Sequence, residues 1–83
     1  MRFDGLDLNL LVALDVLLKE RSISRAAEAL HLSQSATSNA LARLRRNFDD
    51  ALFVRSPSGL HPTRLAQRIA PQVAAHLRDL EAV

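Results

Sequence analysis

The sequence predicts a mainly α-helical fold, with a three-helix core, a short β-hairpin and a long final helix. Three observations carry that expectation. Leucines recur at helical spacing from Leu10 to Leu18, serine-bounded helical segments follow between Ser22 and Phe48, and Ser56-Pro57-Ser58-Gly59 breaks a β-prone run. At 83 residues, 48% of them hydrophobic, the chain amounts to one domain with one small core.

Asp7 is placed to cap a first helix over about residues 8–20, with Leu10, Leu11, Leu14, Leu17 and Leu18 facing inward. Leu8, Val12 and Val16 form a second row at i, i+4, i+8, read either as a covered stripe or as tolerated surface aliphatics. Ser22 or Ser24 caps a second helix that ends near Leu30 and turns Ala26, Ala27 and Leu30 inward. Ser33 precedes a third helix running to about Phe48. Its inner side holds Ala36, Thr37, Ala40, Leu41, Leu44 and Phe48, and its outer side Ser35, Ser38, Asn39, Ala42 and Arg46, with Gln34 and Arg43 on the flanks.

Leu52-Phe53-Val54-Arg55, the turn residues and Leu60-His61-Pro62 predict a hairpin, or wing. Thr63 then caps the last helix, where Leu65, Ile69, Val73, Leu77 and Leu80 make a narrow seam, long for so small a core. Pro71 removes one backbone donor inside it, so the helix is expected to bend there or be recast.

Several function classes drop out. Without cysteine there is no disulfide or thiolate site, no apolar run approaches a bilayer span, and Asp4 and Asp7 stand where a signal peptide is basic. A soluble, cytoplasmic protein without a membrane partner is expected. His31, His61 and His76 share no ligand spacing, there is no glycine-rich phosphate loop, and no serine has a recognisable base and orienter. Neither metal, cofactor nor catalysis is assigned. Charge points elsewhere: residues 21–68 carry eight basic and three acidic side chains, net +5, and ten of the 11 basic residues of the chain are arginine. The planar arginine fork suits phosphate and base edges, which makes nucleic acid the leading partner.

Ile23 to Leu44 has the layout of a helix-turn-helix, with a turn around His31 and apolar locks at Leu30, Leu32, Ala40 and Leu44. The protruding half of its second helix suits a DNA major groove. Gln34 is the foremost base reader because a carboxamide pairs bidentately with adenine, and Asn39 is the second. Ser38 faces outward with them, whereas Thr37 projects inward and can bond back one turn. Ser33 is a sufficient N-cap that can also offer its helix terminus to a phosphate. Of the run Arg43, Arg45 and Arg46, at least one is expected on phosphate, with Arg43 and Arg46 in the expected set. Arg55 on the wing, Ser58 at its tip and Arg64 flank the groove, Arg55 being the preferred phosphate ligand.

Six stretches resemble the LysR-type bacterial transcriptional regulators, in the branch of nodulation and aromatic-catabolism regulators: Asp7-Leu8-Asn9-Leu10-Leu11, Ser24-Arg25-Ala26-Ala27-Glu28-Ala29-Leu30, Leu32-Ser33-Gln34, Ser38-Asn39-Ala40-Leu41, Arg43-Leu44-Arg45 and Leu52-Phe53-Val54-Arg55. The resemblance implies a winged helix-turn-helix over residues 1–62, with Arg25 among the backbone contacts, and a linker helix over residues 63–83. Two such linker helices would pair through the Leu65–Leu80 seam into a homodimer gripping two half-sites, with Leu8, Val12 and Val16 against the partner's helix. It also implies an inducer-binding domain after residue 83, the expected home of any small-molecule inducer.

Two departures stand out. The family usually has proline after the glutamine that opens the recognition helix, and here Ser35 regains an N–H and a hydroxyl that can contact DNA. Asn39 replaces a longer arginine, so guanine reading is not carried over at that position. The expected activity is sequence-specific binding of double-stranded DNA. The alternative is a helical assembly module that uses the last seam while its arginines only confer solubility.

Overall fold

The computed structural model describes residues 6–83, so Asp4 lies outside it. In chain order the elements are α1 (Leu8–Glu20), α2 (Ile23–Leu30), α3 (Gln34–Phe48), β1 (Phe53–Ser56), β2 (Gly59–Pro62) and α4 (Arg64–Glu81). Each helix begins where a short polar side chain accepts a backbone N–H that the helix itself leaves unpaired. Asp7 accepts from Leu10 at 2.8 Å, Ser22 from Arg25 at 3.2 Å, Ser33 from Ala36 at 3.0 Å and Thr63 from Ala66 at 3.2 Å. Ser22 is thus the cap of α2, and Ser24 lies beside it with the two hydroxyls 3.1 Å apart.

The first three helices end without glycine. Arg21, His31 and Asp49 take left-handed conformations with φ of 53°, 57° and 51°. At the end of α2 the Leu32 N–H donates to the Ala27 carbonyl at 2.9 Å and the His31 N–H to Glu28 at 3.2 Å, which reverses the chain within a three-residue turn. Because the backbone of Leu32 closes this turn, its side chain stays at the rim, 46% exposed. That corrects its expected role as an apolar lock.

Small Ala26 and Ala27, both buried, let α2 cross its neighbours closely. Leu10, Leu14 and Leu17 of α1 meet Leu41, Leu44 and Phe48 of α3, and Leu52, Phe53 and Leu60 extend this core under the hairpin. Ala66 and Val73 of α4 close it. Val73, expected on the seam for a partner, is 8% exposed inside the chain's own core. Leu65, Ile69 and Leu77 also pack partly against that core, and Leu80 is exposed. One side of α4 as far as Leu77 therefore belongs to the folded body, which explains why the stripe exceeds what three helices alone would need. The helix continues unbroken through Pro71, which is exposed.

The hairpin pairs antiparallel, Phe53 with Pro62, Val54 with His61, Arg55 with Leu60 and Ser56 with Gly59. Two devices fix it to the body. At its far side the Leu60 N–H donates to the Arg21 carbonyl at 2.9 Å, and Gly59, with φ of 119°, lies so close that a Cβ would come within 2.7 Å of that same oxygen. At its base Asp50 accepts from the Leu52 N–H at 2.8 Å and from the Thr63 hydroxyl at 2.7 Å, while the Thr63 N–H donates to the Leu52 carbonyl at 2.9 Å. Leu52 pays for its full burial with a left-handed φ of 64°.

Gly59→Ala is expected to cost at least about 2 kcal/mol, since both the positive φ and the clash with backbone oppose it; chemical denaturation measures this, and a loss below about 0.5 kcal/mol would contradict the anchor. The Thr63 and Leu52 hydrogen bonds hold the Asp50 carboxyl below its ordinary value of 3.8, outweighing a small opposing effect of desolvation. A lowered folded-state value means that Asp50 stabilises the fold at neutral pH and that this contribution disappears as pH falls from 3.8 through the depressed value. Asp50→Asn should therefore make the acid limb of the stability–pH curve shallower than in the wild type, and an unchanged limb would count against the latch.

Candidate nucleic-acid interface

The first turns of α3 stand away from the body. Gln34, Ser35 and Asn39 are exposed and Ser38 is half-buried, and at about 100° per residue these four share one side of the helix. Thr37 is fully buried, with its hydroxyl donating to the Ser33 carbonyl at 2.9 Å. Inward and outward residues are thereby separated in the way the spacing predicts.

Pinning β2 on Arg21 brings the wing beside the start of α3. Gln34, Arg55, Ser24 and Ser56 line one cleft of about 280 Å³ between α2, α3 and the hairpin. Its chemistry favours an anion with readable edges: a guanidinium, hydroxyls, a carboxamide and the unpaired N–H groups at two helix starts, with no carboxylate among the lining side chains.

The other expected residues fall elsewhere. Asn39 and Arg43 line a larger groove of about 650 Å³ between α1 and α3, with Asp7, Val12 and Leu32. Arg46 lies beside Asp49 and Asp50 at the far end of α3, and Arg64 is exposed on the first turn of α4. Arg25 is exposed but tied to the end of α1, its Nη2 donating to the Glu20 carbonyl at 2.8 Å and its Nε 3.6 Å from the Glu20 carboxylate. Ser33 is the cap of α3, and its Oγ also lies 3.3 Å from that of Ser35. Ser58 bonds within the hairpin, its Oγ 2.9 Å from Ser56 Oγ and 2.9 Å from His61 Nε2.

Arg45 has a role that composition concealed. Its Nε donates to the Ala51 carbonyl at 2.7 Å and its Nη2 to the Phe53 carbonyl at 3.1 Å, so it fastens α3 to the base of the wing. Nothing in an Arg-Leu-Arg-Arg run distinguishes such a latch from a solvated cation. Only its proximity along the chain to the non-helical segment after Phe48 hinted at it.

Leu8 and Val12 of α1 and Leu77 and Leu80 of α4 line an apolar groove of about 270 Å³, edged by Asp15 and Glu81, and Val12 borders both this groove and that of Asn39. Leu8 is 52% exposed and Leu80 54%. Val16, the third member of the α1 row, instead packs partly against the core. Among the described residues no cluster of three or more His, Cys, Asp or Glu could hold a metal, and no helix is long and apolar enough to cross a membrane.

Residues 8–67 match the family model for the bacterial regulatory helix-turn-helix protein, lysR family. Nodulation protein D 1 of Rhizobium leguminosarum bv. phaseoli is 51% identical over 81 residues, which are 98% of this chain and 26% of that protein. The crystal structure of the probable transcriptional regulator PA0477 from Pseudomonas aeruginosa superposes with a TM-score of 0.91 at 45% identity, over 96% of this chain and 27% of its own. BenM_DBD in its complex with catB site 1 DNA shares the fold, with a TM-score of 0.86 at 18% identity over 93% of this chain and 86% of that one. The chain spans about a quarter of the length of the first two proteins. With the match running from the first residue of α1 into the first turn of α4, this chain belongs to the LysR family of bacterial regulatory helix-turn-helix proteins.

Proposed function

We propose that this chain is the DNA-binding part of a longer cytoplasmic transcription regulator and binds double-stranded DNA sequence-specifically as a homodimer, without catalysis or cofactor. The observation that carries the reading is the shared cleft of Gln34 and Arg55, a base reader and a phosphate ligand held at fixed separation by the wing anchor. In this reading α3 enters the major groove, with Gln34, Ser35, Ser38 and Asn39 at base edges. Arg55, Ser58, Arg64, Arg43, Arg46, Arg25 and the Ser33 terminus flank it along the backbone. The BenM_DBD structure, a complex with catB site 1 DNA, supports the fold as one that can meet a duplex.

Residues 1–62 form the DNA-binding unit and 63–83 the linker in this proposal, with the groove of Leu8, Val12, Leu77 and Leu80 receiving the partner's α4. Exposed Leu80 is the most available member, and Leu65 and Ile69 contribute through the parts of their surface left outside the core. A dimer would deliver two copies of α3 to two half-sites. Further domains of the whole protein would take any small-molecule inducer.

Selection of bound duplexes from a random library at fixed salt tests the reading directly, and a two-fold symmetric motif is the expected result. Arg55→Ala should weaken all sequences about equally and reduce the slope of log affinity against log salt by roughly 0.9 per protomer. Gln34→Ala should instead relax preference at one base pair, a loss of about 1–3 kcal/mol in discrimination; a uniform loss would remove Gln34 from the readers. Leu80→Asp should give a folded monomer with much weaker operator binding, and sedimentation of an intact dimer would contradict the proposed interface.

A further inference from the structure

At the end of the wing Ser56 and Ser58 gather around His61, a side chain that neither the spacing nor the cleft accounts for. His61 Nε2 lies 2.7 Å from Ser56 Oγ and 2.9 Å from Ser58 Oγ, and the two hydroxyls are 2.9 Å apart. Cross-strand pairing sets His61 opposite Val54, so its side chain lies on the other side of the hairpin from that of Arg55, whose partner is Leu60, while Ser56 also borders the cleft. All three side chains are exposed.

A neutral imidazole can accept at Nε2 or donate from it, depending on tautomer, whereas a protonated one donates from both nitrogens. When Nε2–H donates to the serine oxygens, both hydroxyl hydrogens are released to turn outward, and two donors backed by the imidazolium face one point. No carboxylate occurs anywhere from Phe53 to Pro62, and the one charged side chain there besides His61 is Arg55. The neighbouring elements are also predominantly cationic. Arg64 and Arg68 belong to α4, which packs on β2, and Arg21 supplies the carbonyl under Leu60. The adjoining carboxylates are engaged elsewhere, Asp50 by Leu52 and Thr63, and Glu20 with Arg25. A phosphate brought against the cluster accepts from both hydroxyls, and its negative charge favours the imidazolium behind them.

We propose that Ser56, Ser58 and His61 together grip one phosphate of the DNA backbone, and that His61 takes up a proton from solvent as they do so. This rests on the DNA-binding reading and deepens it. The wing then has two phosphate contacts of different character, a permanent cation at Arg55 and a proton-dependent one on the opposite face. Imidazole is the side chain whose charge changes near neutral pH, so affinity for any duplex rises as pH falls through that range. The coupling is independent of base sequence because only the backbone is touched.

The test is binding of the 83-residue chain to a mixed-sequence duplex, followed by fluorescence anisotropy at fixed ionic strength between about pH 8 and about pH 6. The wild type should tighten by roughly fivefold or more, and His61→Gln by less than about twofold. Ser58→Ala, which keeps the imidazole, should weaken binding by about threefold at the acid end. His31→Asn and His76→Gln should retain the wild-type pH dependence. Calorimetry in two buffers of different ionisation enthalpy should record proton uptake by the wild type and none by His61→Gln. A wild type that binds with the expected salt dependence but no pH dependence, or a pH dependence that survives in His61→Gln or vanishes in His31→Asn, would overturn the proposal and leave DNA binding standing. No duplex binding at any pH would overturn both.

Discussion

The arrangement of the whole interface depends on one peptide carbonyl. The oxygen of Arg21, at the left-handed end of α1, accepts from Leu60 and thereby decides where the hairpin lies against the helices. Two strands of four residues are marginal by themselves, so the wing needs an external hold to have a defined position. Gly59 is the condition for that hold, since any side chain there would occupy the space the carbonyl needs. The Arg45 and Asp50 contacts fasten the opposite end, and together the two ends convert a flexible ribbon into a fixed wall of the cleft.

Fixing the wing matters because recognition of a duplex requires groups of different kind at set distances. A guanidinium on a loose loop would attract phosphate from many positions and enforce no register. Held in one cleft with Gln34, it would relate the proposed backbone and base contacts to each other. The apolar groove of α1 and α4 shares no lining residue with the cleft of Gln34 and Arg55, but it meets the groove of Asn39 and Arg43 at Val12. Several arginines that composition alone would count as DNA ligands serve the fold first: Arg45 binds two carbonyls and Arg25 joins α2 to α1.

Most of the fold was legible in the sequence, because the interactions that start helices are local. Asp7, Ser22, Ser33 and Thr63 each accept from a backbone N–H three residues on, and apolar spacing decides which helix side faces in. What could not be read depended on contacts between distant segments. The inward turn of Val73 requires knowing that α4 folds back on α1, and the exposure of Leu32 follows from how its own backbone closes the turn. The outward set on α3 was legible for the same reason as the helix itself. Its division between two grooves was not, since Gln34 meets the wing and Asn39 meets α1 only in three dimensions.

Pro71 interrupts the backbone ladder of the last helix. With no amide proton at that residue, the Gln67 carbonyl one turn earlier lacks its usual rung, on a side of α4 that is open to water. Ala66 lies before this gap and Val73 beyond it, both buried in the body, and Leu77 also packs partly against it. Side-chain packing therefore grips the helix on both sides of the missing rung, so the core and not the backbone ladder keeps α4 in line there. The domain makes good the weakness that proline introduces, and the rod leaves that support past Leu77, where Leu80 is exposed.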